Sequence, residues 1–159
     1  MRLRSVALLL AVLSVVAPTD LFGDDMDPPG QRVVGDDALR TLLLGHTFYG
    51  LYVGGGRWIE YYAPDGRSAY WDGCTHDGRW WIAGGQACFR YRGDLQDTDY
   101  CWEVYRSGSE VDFIMREADT AGPARAYTTA IRDGNSENLP LGADDCVSVE
   151  RTPAPNSTN

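Results

Sequence analysis

The chain has 159 residues and a formal net charge of −9, with 43% hydrophobic residues, five Trp and nine Tyr. That charge argues against nucleic acid and anionic membrane surfaces as partners. The ring-rich apolar content argues against a disordered chain, and the length fits one domain able to bury a real core.

Residues Met1 to Ala17 read as a signal peptide, because Arg2 and Arg4 precede the apolar run Val6 to Val16. The run is too short to span a bilayer, so the chain is expected to have no membrane span. Cleavage after Ala17 takes the charge from −9 to −11 by removing Arg2 and Arg4, and a cut after Gly23 is the second choice. Residues 18–37 hold six Asp and a Pro28-Pro29-Gly30 break without apolar periodicity, the pattern of a disordered acidic leader. One short helix follows. Asp36 or Asp37 can cap it, Leu39, Leu42 and Leu43 share one side, and Gly45 stops it.

From His46 onward, turn residues recur every eight to twelve positions. The strands predicted are His46 to Val53, Arg57 to Ala63, Arg67 to Gly73, Arg79 to Ala83, Gln86 to Arg92, Asp99 to Arg106, Glu110 to Arg116 and Arg125 to Ile131. The intervening turns include Asp77-Gly78, Gly93 to Thr98, Ser107-Gly108 and Thr120 to Pro123. Short loops make successive strands antiparallel neighbours, so the expected fold is all-β, a single eight-stranded up-and-down barrel spanning residues 38–150. Residues 151–159 form a tail of Pro, Ser, Thr and Asn with nothing to bury, in which Asn156-Ser157-Thr158 is a chance sequon.

The four cysteines, Cys74, Cys88, Cys101 and Cys146, are an even number in a chain with an export signal, which reads as two disulfides. No metal is expected, since there is no Cys-x-x-Cys pair. Pairing Phe89 with Tyr100 sets Ala87 against Trp102, Arg90 against Asp99 and Cys88 against Cys101. Facing antiparallel positions suit a cross-strand bridge, so Cys88 is assigned to Cys101 and Cys74 to Cys146, one of three connectivities. In the next hairpin a Ser107-Gly108 turn would set Trp102 against Phe113 and Val104 against Val111. The other face, with Arg90, Glu103, Tyr105 and Asp112, reads as solvated.

Several segments together carry a resemblance: Leu43-Leu44-Gly45-His46-Thr47, Trp58 to Gly66, Gly78-Arg79-Trp80, and Ala87-Cys88-Phe89 followed by Tyr100-Cys101-Trp102-Glu103-Val104. They resemble a family of small exported proteobacterial proteins with a domain of unknown function, some of whose members are labelled as related to exopolysaccharide production. The matching pieces lie within Leu39 to Val104, and His46 stands where that pattern has Asn. The resemblance implies a lipocalin-like small barrel and a periplasmic or secreted location in the bacterial envelope, and it transfers no catalytic residue.

Candidate chemistry is sparse. His46 begins a strand and His76 lies in the Cys74 to Gly78 turn, neither beside a partner the sequence can place, so both read as structural or solvated. No nucleophile elbow, phosphate loop or zinc-protease helix is present, and nothing calls for a cofactor. Glu60 and Asp72 could form a glycosidase-type pair, but strand acids usually face water. The suggestive feature is the rings. Trp58, Tyr62, Tyr70, Trp81, Tyr91 and Trp102 are the residues expected to bind ligand if the barrel has an open mouth, and core filling is the alternative. The function expected is thus a non-enzymatic binding protein taking a small apolar molecule or a glycan segment. The alternatives are a protein-binding barrel, such as an inhibitor of a secreted hydrolase, and a glycan-processing enzyme.

Overall fold

The computed structural model describes residues 29–92, 98–115 and 124–146. The predicted signal peptide at 1–17, the first part of the leader, the turn at Thr120 to Pro123 and the tail at 151–159 lie outside the described residues.

Turn chemistry and alternating apolar residues produce nine strands: β1 (Gln31–Arg32), β2 (His46–Tyr52), β3 (Arg57–Tyr62), β4 (Arg67–Trp71), β5 (Thr75–Ala83), β6 (Gln86–Tyr91), β7 (Tyr100–Ser107), β8 (Glu110–Met115) and β9 (Ala124–Asp133). Strands β2 to β9 pair with their sequence neighbours throughout, and β9 returns to pair with β2, closing an eight-stranded antiparallel barrel. Closure leaves these strands without an exposed edge. β1 lies outside the barrel, pairing Gln31 with Arg106 and Arg32 with Tyr105 on β7. Part of the stretch expected to be an unstructured leader is therefore held in the sheet. Val33 extends the contact, its N–H donating to the Val104 carbonyl at 2.8 Å.

The helix α1 (Asp36–Leu43), the only one among the described residues, matches its predicted place, but its cap differs. Gly35, at φ 93°, occupies the cap position without a side-chain hydrogen bond, and Asp36 and Asp37 fall in the first turn. There their charges favour the helix N-terminus. Leu39 and Leu43 on one face are fully buried. They close one end of the barrel, with α1 packed against β5 and β6.

Both disulfides form as expected, Cys88 with Cys101 and Cys74 with Cys146. The β6–β7 register is also the expected one, with Ala87 opposite Trp102 and Phe89 opposite Tyr100, and Arg90 bonds Asp99 at 2.6 Å. The β7–β8 register is displaced by two residues. Val104 faces Phe113 and Arg106 faces Val111, so Trp102 does not face Phe113. The cause is the turn. Gly108 (φ 62°) stands at its first central position, where a type II′ hairpin takes glycine, so the two-residue loop is Gly108-Ser109 and not Ser107-Gly108. A slip of two preserves which residues face inward, because strand side chains alternate with period two.

Another difference lies in β5, which begins at Thr75 and not at Arg79. The Asp77-Gly78 pair is strand, not turn. Gly78 is there for space, since a Cβ would run into Ser68 Oγ and the Tyr91 ring. Gly50 on β2 has the same role, because a Cβ would strike the Trp58 indole and the Tyr127 carbonyl. On the outer face, Asp112 is buried instead of solvated, held by Arg125 with Nη2 3.1 Å from Oδ1.

Candidate functional site

Two ends of the barrel interior differ in filling. Toward α1 the rings pack on one another: Phe48 meets Tyr62 edge-on at 5.2 Å and Tyr62 stacks on Phe89 at 5.6 Å. Trp80 completes this end, its indole N–H donating to the Ala63 carbonyl at 2.9 Å. Toward the opposite end, the mouth, rings also meet, Tyr70 and Tyr91 at 4.9 Å, but they leave between them a cavity of about 330 Å³. That volume lies at the small end of the range for ligand pockets, with room for one or two rings.

Strand alternation builds the cavity wall. Trp58, Glu60 and Tyr62 are the buried positions of β3, Tyr70 faces in from β4, Phe89 and Tyr91 from β6, and Trp102 from β7, all lining the cavity. Tyr52, Asp72, Tyr100, Phe113, Met115 and Ala126 complete the wall. Of the six residues expected to bind ligand, the structure brings together Trp58, Tyr62, Tyr70, Tyr91 and Trp102. Trp81 is not among them. It pairs with Cys88 on the outer side, where the Arg90 guanidinium lies 5.8 Å from its ring centre.

The polar centre of the wall is Glu60, expected on the wet face and found 3% exposed. The reason is parity. Glu60 shares its side of β3 with Trp58 and Tyr62, two residues away on either side. The Tyr91 hydroxyl donates to both carboxyl oxygens, at 2.9 Å to Oε1 and 3.0 Å to Oε2. Burial pushes the Glu60 pKa up to about 7 despite that hydrogen bond. The tyrosines answer the same environment. Burial raises the Tyr52 hydroxyl to about 12 and holds those of Tyr62, Tyr70 and Tyr91 above their ordinary value, so at neutral pH all four remain protonated donors.

A second polar chain runs toward the mouth. The Tyr52 and Tyr70 hydroxyls lie 3.1 Å apart, and Tyr70 donates to Asp72 Oδ2 at 3.3 Å. His76 is in β5 and buried, not in a turn. Its ring stacks on Tyr70 at 5.4 Å, with Nε2 3.2 Å from Asp72 Oδ1. The same nitrogen is 3.2 Å from Cys146 Sγ. Cys74, His76 and Cys146 have ligand atoms near one another, but both sulfurs are spent in the Cys74–Cys146 bridge and offer no thiolate to a metal. His46, at the far end, pairs with Asp133 at 3.3 Å and takes no part in the cavity. The Trp58 indole N–H has no acceptor among the described residues.

The bridge also fastens the chain end beside the mouth. Asp145 both donates through its N–H to the Thr75 carbonyl at 3.0 Å and accepts from the Thr75 N–H through Oδ1. A larger groove of about 1320 Å³ crosses the outer surface between α1, β8 and β9, with Val53, Tyr127 and Ile131 among its residues. Among the described residues no helix is long and apolar enough to cross a membrane.

No family model matches this chain, and neither a curated protein nor a solved structure matches it. The site must be read from its own geometry.

Proposed function

We propose that this protein is a non-enzymatic binding barrel of the bacterial envelope, periplasmic or secreted, whose mouth takes a small ring-bearing molecule, apolar or a single sugar residue. The observation that carries the reading is the unfilled aromatic cavity of about 330 Å³ above a tightly packed floor. Apolar atoms that border unfilled volume lack partners on that side, and a flat ligand supplies them. Two disulfides suit an oxidising compartment, and the resemblance of the Trp58 to Gly66 and Tyr100 to Val104 segments to an exported family points the same way. A protein-binding barrel finds less support, since the large apolar residues exposed among those described are only Val34, Val53 and Tyr127.

Calorimetric titration with 2-phenylethanol and with methyl β-glucoside tests this reading. Saturable binding of at least one is expected, abolished by Ala126→Phe, which fills the cavity, and unchanged by Trp81→Ala. Absence of binding by both, and by a charged analogue of the same ring, with the protein folded, would overturn it.

One observation favours a second reading. Glu60, protonated near neutral pH, and Asp72 line the same cavity, as an acid and its partner carboxylate would in a glycoside-cleaving enzyme. The Tyr91 hydroxyl donates to both Glu60 oxygens, however, a contact that favours the carboxylate over the proton-donating acid. Nitrophenyl glycosides are expected to remain uncleaved. Turnover lost in Glu60→Gln would replace the binding reading.

A further inference from the structure

The cavity holds two carboxyl groups, Glu60 and Asp72, and none of its lining residues is basic. Both Asp72 oxygens already have partners, the Tyr70 hydroxyl at 3.3 Å and His76 Nε2 at 3.2 Å. Glu60 has only hydroxyl donors. Tyr91 contacts both oxygens, and the Ser68 and Tyr62 hydroxyls also act on the carboxyl, but a carboxylate has about four lone-pair sites and keeps acceptor capacity beyond them. The same cavity is lined by the aromatic side chains of Trp58, Tyr70, Tyr91 and Trp102. A carboxylate inside an aromatic wall is the arrangement that recognises an organic cation, through charge on one side and ring quadrupoles on the others.

We infer that the ligand is an organic ammonium ion, a small amine with a ring or short apolar body, whose nitrogen sits against Glu60 within the aromatic wall. This rests on the binding reading above and adds the ligand's charge to it. The body of the ligand fills the space toward Phe113 and Met115, and the chain's charge of −9 draws cations toward the mouth.

The inference fixes a pH dependence. The titratable groups facing Glu60 are the hydroxyls of Tyr52, Tyr62, Tyr70 and Tyr91, with Tyr100, Asp72 and His76 toward the mouth. The four inner tyrosines titrate far above neutrality. Glu60, with its pKa near 7 in the empty barrel, must lose its proton for the ammonium to bind well. Affinity for the cation therefore rises with pH up to about 7 and levels off above it, falling by up to tenfold per unit below, whereas a neutral ligand shows no such slope.

The test is titration calorimetry of the mature, disulfide-bonded protein with phenethylammonium and its neutral analogue 2-phenylethanol, at pH 5.5 and pH 8. At pH 8 the cation is expected to bind at least tenfold more tightly than the alcohol, with most of that advantage lost at pH 5.5. In Glu60→Gln, shown to be folded by far-ultraviolet circular dichroism and cooperative thermal unfolding, the advantage of the cation over the alcohol and its pH slope should vanish. The inference is overturned if the alcohol binds as tightly as the cation, or if the preference survives Glu60→Gln unchanged. In both of those cases the cavity remains a binding site for neutral rings. If neither probe nor methyl β-glucoside binds, the cavity reading fails as well.

Discussion

At the floor of the barrel, Leu39 and Leu43 of α1 close over Phe48, Tyr62 and Trp80, and little space is left between them. At the mouth, Tyr52, Tyr70, Tyr100 and Trp102 surround unfilled volume, with two carboxyl groups in the same wall. Both regions are made of rings on alternating strand positions, so composition does not separate them. The helix does. It supplies two buried leucines that plug one end, and among the described residues nothing equivalent covers the other. Stability therefore concentrates at the covered end, and the unfilled volume lies at the other.

Truncating the floor should have the largest effect. Phe48→Ala is expected to destabilise by about 3 to 5 kcal/mol in chemical denaturation, whereas Trp102→Ala, facing a cavity on one side, should cost less while weakening 2-phenylethanol binding more than tenfold. If the two losses were equal, mouth and floor would be packed alike. Next in size, replacing Cys74 and Cys146 together by Ala should lower stability by about 2 to 4 kcal/mol, and the Asp145 to Thr75 contacts should release, visible as faster amide exchange at Thr75 and Asp145. Retained protection there would mean that the hydrogen bonds hold the chain end without the bridge.

Glu60 gives a sharper test, because its effect depends on pH. Its pKa is raised from 4.5 to about 7 on folding, so ionisation favours the unfolded chain between those values and the native state loses stability as pH rises through them. The loss approaches about 3 kcal/mol above pH 7. Glu60→Gln should remove that slope, leaving the variant more stable relative to the parent at pH 8 than at pH 4.5, by roughly that amount. A parallel pair of stability curves would mean that Glu60 titrates normally. Smallest of all, Trp81→Ala on the outer face should cost no more than about 1 kcal/mol through its Arg90 contact and leave ligand affinity unchanged.

Much of the fold was legible because turn residues are local. The Gly-rich and Pro-Asp-Gly turns punctuate the strands correctly, and the facing of Cys88 with Cys101 followed from one hairpin register. The errors came from glycines and a histidine whose role is set at long range. Gly78 reads as a turn residue until Tyr91, thirteen positions on, is known to lie against it. Gly108 was recognised as a turn residue, but its place within the turn depends on φ, and the register moved by two with it. Glu60 was the instructive miss. A rule about acids in general placed it in water, although its own neighbours Trp58 and Tyr62 already marked that side of β3 as inward. Trp81 is the converse, an aromatic on the wrong parity, one residue from the inward Trp80. That a cavity survives among so many rings could not be read from sequence, since it depends on how closely rings from six different strands approach.

The central claim is that the aromatic mouth, and not the outer groove, is where a ligand sits. Isotope-filtered nuclear Overhauser spectroscopy on bound phenethylammonium, or on 2-phenylethanol if the cation does not bind, reports this directly. Contacts from the probe's ring protons to Trp58, Tyr91 and Trp102 are predicted, and contacts to Tyr127 and Ile131 of the outer groove in their place would contradict it.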